Sequence, residues 1–170
     1  MGKRVLIIKM IEVQKGIYRM DGELEKVSDR SLVLVHPWYD EGHNSFRLYE
    51  GTGSYKDNLD KLIELSFVRN LILFEEIDIC GKTFKKVRSI RKSQKGLYIV
   101  PTIKGDPFPK YSSWQVVLNF LKSVDTEFNL AGGYLTNGSN GLGGCAGHFG
   151  NILIFNAIRV KFLKDCCFTR

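Results

Sequence analysis

The stretch with the most evident chemistry is GLGGCAGHFGN, Gly141 to Asn151, near the carboxyl end of the chain. A cysteine in the first turn of a helix meets free backbone N–H groups and the positive end of the helix dipole, which favour the nucleophilic thiolate. The amides around Gly144 and Ala146 could then hold an oxyanion. Glycines before a helix could instead cradle a phosphate, and Cys145 could be an inert apolar side chain. This stretch by itself leaves these alternatives open.

The phosphate alternative fits the sequence less well than the nucleophile. A dinucleotide-binding fingerprint, GxGxxG, follows the first strand of its domain, whereas Gly141, Gly143 and Ala146 come late in the chain. The P-loop pattern GxxxxGK[ST] is absent from the sequence. We therefore expect Cys145 to be the reactive group; the alternative is a catalytically inactive member of the same fold that binds a nucleotide at this glycine loop.

The elements that must position these groups alternate between strands and helices. Short apolar runs predict five buried strands: SLVLV, NLILFEE, GLYIVPT, FNLAGGYL and AIRVKFL. Helical spacing of apolar residues predicts helices over YKDNLDKLIELSF and WQVVLNFLKSV, the second capped by Ser112 or Ser113, and a third from about Cys145. VLIIKMIEV and GIYRM predict an N-terminal hairpin, and IDICGKTFKKVRSI predicts another that turns near Cys80 and Gly81.

This alternation predicts an α/β fold with a mostly parallel central sheet in a three-layer, Rossmann-like sandwich. We expect a single domain, with residues 1–30 as a β-hairpin extension and residues 31–170 as the core. Ligands of such sheets bind outside the carboxyl ends of the strands. The candidates that follow predicted strands are His36 to Asp40, with Trp38 among them, Glu75 and Glu76, Thr102 to Lys104, and the loop from Thr136 to Cys145.

The order of these features resembles the isochorismatase-like cysteine hydrolases. In that family a cysteine opens a helix after the fourth strand, and an apolar strand ending in an acid follows, as AIRVKFLKD follows Cys145 here and ends at Asp165. A family lysine after the third strand corresponds to Lys104. The family's aspartate at the tip of the first strand is replaced by His36, with Asp40 four residues further on.

The resemblance implies hydrolysis of a small amide or ester. Cys145 would be the nucleophile, His36 or Asp40 the base, and Lys104 the group that stabilises the anion. Trp38 and Glu75 would contact the ligand. The family's metal-binding pattern of an aspartate and histidines is missing after the second strand, and we expect neither a metal nor a cofactor.

The net charge of +7 predicts a second function of another class. Seven basic residues and no acid lie between Gly81 and Lys95, so this segment accounts for the whole excess. A basic patch can bind nucleic acid or an acidic partner, although a solvated surface segment gives the same pattern. The candidate nucleic-acid contacts are Lys85, Lys86, Arg88, Arg91 and Lys92.

The remaining composition narrows the class of protein. The four cysteines form no CxxC pair, which favours reduced thiols over a disulfide framework or a zinc site and predicts a cytoplasmic protein. No apolar run approaches the roughly 20 residues that span a bilayer, so we expect no membrane contact. A small-molecule ligand is expected, nucleic acid is the alternative partner, and self-association into a homo-oligomer remains open.

Overall fold

The computed structural model describes residues 10–20, 30–38, 53–66, 69–91, 96–138 and 141–169. Its strands are β1 (Met10–Gln14), β2 (Ile17–Met20), β3 (Ser31–Val35), β4 (Leu71–Glu76), β5 (Leu97–Thr102), β6 (Glu127–Gly138), β7 (Gly141–Gly143) and β8 (Arg159–Thr169). Its helices are α1 (Gly53–Leu65), α2 (Cys80–Ile90), α3 (Trp114–Val124) and α4 (Gly144–Phe155).

Five strands form a parallel core in the order β5-β4-β3-β6-β8. The first of them along the chain, β3, lies in the middle and pairs with β4 on one side and β6 on the other. Every residue of β3, β4 and β5 is buried, as expected for parallel strands covered on both faces. The predicted α/β class and mostly parallel sheet are therefore confirmed.

Antiparallel strands extend the sheet beyond β5. Strand β2 pairs antiparallel with β5, and β1 pairs antiparallel with β2. The turn between β1 and β2 is closed by Gly16, whose N–H donates to the Glu12 carboxylate at 2.7 Å. Residues 1–9, which include most of the first predicted strand, lie outside the described residues.

Helices pack against both faces of the parallel strands. Phe74 of β4 contacts Phe149 of α4, with ring centroids 4.4 Å apart, whereas the next residue, Glu75, accepts a hydrogen bond from Thr83 of α2. Successive side chains of a strand point to opposite faces, so α2 and α4 lie on opposite sides of the sheet. No helix in the described part of the chain is long and apolar enough to cross a membrane.

The predicted hairpin near Cys80 and Gly81 is wrong, because this segment forms helix α2. Its buried residues, Cys80, Thr83, Phe84 and Val87, recur at the spacing of a single helix face. Gly81 lies in the first turn of this helix, and a Cβ there would meet nothing within 4 Å. The glycine therefore marks no reversal of the chain.

The predicted loop TNGSNGLGG also differs from the structure. Strand β6 continues to Gly138, and β7 returns beside it, with Thr136 paired to Gly143. The short β7 delivers the chain directly to the start of α4. The cap of α3 is as predicted, since the Ser113 hydroxyl accepts from Val116 N–H at 3.3 Å.

Candidate functional site

The candidate site lies at the carboxyl edge of the sheet, meaning the ends of β3, β4 and β5 together with the first turn of α4. Helix α4 begins at Gly144, where the φ of +75° is one that residues with a Cβ rarely adopt. This backbone bend turns the chain from β7 into the helix and places Cys145 in the first turn.

The Cys145 thiol is buried, with 9% of the residue exposed. Burial raises the pKa of this thiol to about 11, and the carboxylates of Asp106 and Glu76 add to the increase. The backbone N–H of Cys145 itself acts in the opposite direction. Loss of hydration and nearby negative charge thus outweigh the helix N-terminus, so the resting group is a neutral thiol rather than the expected thiolate.

The loop of residues 103–110, which follows β5, faces Cys145. The thiol donates weakly to the Gly105 carbonyl, with 3.9 Å between the sulfur and the oxygen. The N–H of the same Gly105 donates to the Glu76 carboxylate at 2.7 Å. Asp106 is half-buried, and its carboxylate accepts from Phe108 N–H at 3.2 Å. A thiol and two carboxyl groups therefore converge at this loop.

Phe108 connects the same loop to two helices. Its ring centroid lies 5.7 Å from that of Trp114 in α3 and 5.8 Å from that of His148 in α4. The loop also pairs with its own strand, since Lys110 N–H donates to the Pro101 carbonyl at 2.8 Å. These contacts hold the loop against the helix that carries Cys145.

Glu75 lies at the same end of β4 as Glu76 but points to the opposite face of the sheet. Its carboxyl group is fully buried and accepts from the Thr83 hydroxyl at 2.7 Å and from Glu76 N–H at 2.8 Å. Burial is the main cause that raises the pKa of Glu75 to about 7. Burial raises the pKa of the Cys80 thiol to about 12, and the negative charge of Glu75 adds to this increase.

The His36 side chain is buried next to Thr102, at the end of β5. It is 1% exposed, and its Nε2 lies 3.0 Å from the Thr102 hydroxyl. Its φ of 44° is unusual for a residue with a side chain and marks a sharp change of direction at the end of β3. Asp40, the other predicted base, lies outside the described residues.

Trp38 is held between two helices. Its indole N–H donates to Asp60 of α1 at 2.9 Å, and the Lys86 ammonium of α2 lies 4.1 Å from the centre of its ring. With 4% exposure, the side chain is part of the packed interior rather than an open pocket wall. Its expected ligand contact therefore has no support in its surroundings.

The other predicted residues of the hydrolase site lie on two elements. Lys104 is exposed and immediately precedes Gly105 in the 103–110 loop. Gly144 is half-buried and Ala146 is buried on either side of Cys145, in the first turn of α4. The backbone of this turn thus surrounds the thiol, and Lys104 lies on the loop that faces it.

The predicted nucleic-acid contacts divide between surface and interior. Lys85 is exposed, whereas Lys86 and Arg88 are half-buried. Arg91 is buried and donates to the carbonyls of Ser66 and Arg69 at 3.2 and 2.7 Å. Its assignment as a nucleic-acid contact is corrected, because a buried guanidinium cannot reach a phosphate. Lys92 lies outside the described residues.

An apolar cavity of about 410 Å³ opens on the α2 side of the sheet. Its lining comes from β1, β2, β5 and α2 and includes Met10, Tyr18, Phe84 and Ile99. Cys80 also lines it, so the second buried thiol at a helix start faces apolar side chains. Sequence reasoning did not predict this cavity, since it depends on β1 and β2 packing beside α2.

Of the two acidic neighbours of Cys145, Glu76 is among the candidates that follow the predicted strands, whereas Asp106 was not predicted as a site residue. The signal for Asp106 was the turn sequence Gly105-Asp106-Pro107, which begins three residues after the end of a buried strand. Within the described residues, no group of three or more histidine, cysteine or acidic side chains could hold a metal ion. Comparison of the chain with protein-family models, curated proteins and solved structures gives no match.

Proposed function

We propose that this chain is a cysteine-dependent hydrolase-like protein that acts on a small amide or ester, with Cys145 as its nucleophile. The observation that carries the proposal is the convergence of the Cys145 thiol with Asp106 and Glu76 at the 103–110 loop. The amides of the first turn of α4 would receive the oxyanion, and Lys104 would stabilise it.

The proposed fold is a three-layer, Rossmann-like sandwich related to the isochorismatase-like hydrolases. Support comes from the order of the parallel strands and from the helix contacts on both faces. The base differs from the one that the resemblance implied. We assign it to Asp106, because this residue directly follows Gly105, whose carbonyl accepts from the thiol, and because its negative charge raises the pKa of the thiol.

A neutral thiol requires that deprotonation accompany attack. Asp106 would accept the proton from Cys145 while the sulfur forms a bond to the substrate carbonyl carbon. The protonated Asp106 would then return this proton to the leaving amine or alcohol as its bond to carbon breaks. Water would hydrolyse the resulting thioester and restore the free thiol.

The test uses Asp106→Asn, since the amide oxygen can still accept from Phe108 N–H. If Asp106 is the base, acylation of Cys145 by a p-nitrophenyl ester falls by about 100-fold or more. Alkylation by iodoacetamide should instead rise, because removing the negative charge lowers the pKa of the thiol. Intact-mass and peptide mass spectrometry measure both reactions on the same residue.

The matched control is Asp165→Asn. Asp165 is exposed and raises the pKa of Cys166, so this variant should change neither reaction at Cys145. Cys145→Ala should abolish the acyl adduct, whereas Cys80→Ala should retain it. A wild-type protein that forms no acyl adduct on Cys145 with a panel of small esters and amides contradicts the hydrolase proposal.

A second candidate function is nucleic-acid binding through α2. The observation in its favour is that Lys82 and Lys85 are exposed on the helix, opposite its buried residues. Binding to a duplex should weaken steeply with salt, and Lys82→Gln with Lys85→Gln should reduce the salt slope by about 2. Lys122→Gln with Lys161→Gln, which changes two exposed lysines elsewhere, is the control.

A further inference from the structure

Gly105 joins two side chains of the proposed site through its own backbone. Its N–H donates to the Glu76 carboxylate at 2.7 Å, and its carbonyl accepts from the Cys145 thiol at 3.9 Å. The first contact links the loop to β4, and the second links it to α4. Gly105 is therefore the point at which the loop, the sheet and the helix with the thiol meet.

The conformation at this point is held by polar contacts rather than by steric confinement. Gly105 has a φ of +75°, and a Cβ built there meets nothing within 4 Å. Space around the residue would thus allow other positions of the loop. A hydrogen bond between a backbone N–H and a carboxylate is stronger than one between neutral groups, so the Glu76 contact is well suited to select one position.

Burial strengthens this contact. Glu76 is 3% exposed, at the end of a strand whose every residue is buried. Gly105 itself is exposed, so water is excluded only on the Glu76 side, where a backbone N–H directed at the carboxylate compensates part of its lost hydration. Asp106 follows Gly105 directly, so the position of Gly105 determines where the next carboxylate lies.

We infer that Glu76 is a positioning residue, which holds Gly105 against the Cys145 thiol and thereby places Asp106 beside it. The catalytic consequence rests on the proposed function. The structural part, that the Glu76 carboxylate fixes the loop, does not depend on it. Glu76 itself touches neither substrate nor the reacting sulfur in this assignment, because it acts through Gly105.

The experiment uses three variants to separate the hydrogen bond that anchors Gly105 to Glu76 from the negative charge of Glu76. Glu76→Gln keeps an oxygen for Gly105 N–H and removes the charge, whereas Glu76→Asp keeps the charge on a side chain one methylene too short. Glu76→Ala removes both. The readouts are hydrogen exchange of the Gly105 amide by NMR and the pH dependence of Cys145 alkylation by iodoacetamide, with Cys80 in the same sample as the reference thiol.

If Glu76 anchors Gly105, hydrogen exchange of the Gly105 amide should stay slow in Glu76→Gln. It should accelerate at least about tenfold in Glu76→Asp and Glu76→Ala. Cys145 alkylation should shift to lower pH in Glu76→Gln, because a negative charge is lost. In Glu76→Asp the rate should rise at every pH as the loop uncovers the sulfur. Cys80 rates should remain the same throughout.

Two results would overturn the inference. One is unchanged Gly105 exchange in Glu76→Asp, which shows that the loop needs no anchor. The other is fast exchange in Glu76→Gln, which shows that the charge and not the contact matters. Failure of the hydrolase proposal is seen separately, as the absence of an acyl adduct on Cys145 in the wild-type protein, and it leaves these two readouts intact. Since Glu76→Asp changes a single methylene, it tests the anchor even if Glu76→Ala fails to fold.

Discussion

The two edges of the parallel sheet treat buried polar groups in opposite ways. At the amino edge, where the strands begin, Arg91 is buried against backbone carbonyls, and Asp125 accepts from both the N–H and the hydroxyl of Ser31 at 2.9 Å. At the carboxyl edge, the thiols of Cys80 and Cys145 lie close to acidic side chains. Arg91 and Asp125 thus have complementary partners at the amino edge, whereas the two thiols of the carboxyl edge lie beside carboxylates that oppose their ionisation.

The hydrogen bonds of Asp125 show how the amino edge affects the pKa of a carboxyl group. They hold the pKa of its carboxyl group below the ordinary value, in spite of partial burial that acts in the opposite direction. At the other edge, burial raises the pKa of Glu75 to about 7. The hydrogen bonds at the amino edge therefore stabilise a charged carboxylate, whereas burial at the carboxyl edge leaves Glu75 able to exchange a proton near neutral pH.

The largest effect is expected from Arg91 at the amino edge. Arg91→Ala removes a large buried side chain and leaves the Ser66 and Arg69 carbonyls without this donor, so the free energy of unfolding should fall by about 4 kcal/mol. Urea denaturation measures it. Lys85→Ala, at an exposed position of the preceding helix, should change it by less than about 0.5 kcal/mol. Similar free energies of unfolding for the two variants would show that Arg91 does not stabilise the fold.

A smaller effect of opposite sign is expected from Glu75 at the carboxyl edge. Its pKa is about 7 in the fold against an ordinary 4.5, so the neutral carboxyl group stabilises the protein fully below pH 4.5. This contribution is lost as the pH rises from 4.5 through 7, and by about pH 8 the loss reaches about 3 kcal/mol. Glu75→Gln should remove the pH dependence and be more stable than the wild type above neutral pH.

Glu127→Gln is the control for that measurement, because Glu127 pairs with Arg30 at the partly exposed amino edge. Its substitution should alter the free energy of unfolding by less than about 1 kcal/mol and leave the loss between pH 4.5 and 7 in place. If the free energy of unfolding of Glu75→Gln still falls between pH 4.5 and 7 as in the wild type, ionisation of Glu75 is not what destabilises this edge.

A third expectation separates the two thiols within the carboxyl edge. With a pKa of about 11 for Cys145 and about 12 for Cys80, alkylation of Cys145 should be the faster of the two at one pH. Both rates should rise about tenfold for each pH unit from about 7 to 10. Peptide mass spectrometry after timed iodoacetamide treatment gives the ratio. A Cys145 thiol that reacts fully near pH 6 would contradict the electrostatics of this edge.

The smallest effect is expected from Lys86, which connects α2 to the end of β3. Lys86→Met removes the cation above the Trp38 ring and should lower the free energy of unfolding by about 0.5–1 kcal/mol. Lys85→Met, on the exposed part of the same helix, is the matched control. Equal stabilities of the two variants would show that the contact contributes nothing to the carboxyl edge.

The core of the fold could be predicted from the sequence because its signals are local. The apolar runs of β3, β4 and β5 are continuous, and Ser113 stands directly before the helical pattern of α3. The segment from Ile77 was mistaken for a hairpin because Gly81 suggested a turn. The spacing of Cys80, Phe84 and Val87 is nevertheless that of one helix face.

The chemistry of the site could be predicted only in part. The sequence indicates that Cys145 begins a helix, but not that burial would raise the pKa of its thiol. Asp106 and Glu76 lie about 40 and 70 residues from Cys145 along the chain, and only the loop after β5 brings them together. The burial of Arg91 likewise depends on Ser66 and Arg69, which belong to a different connection.

The central position of β3 has a consequence for the order in which the chain folds. Its partner on one side, β4, is the next described strand along the chain, but the other partner, β6, begins only beyond Asp125, which contacts Ser31 across 94 residues. During synthesis, β3, β4 and β5 emerge before β6 exists, so β3 has an open edge until most of the chain has been made. Closing this long-range pair is therefore expected to limit the rate of folding and to be the step most exposed to aggregation.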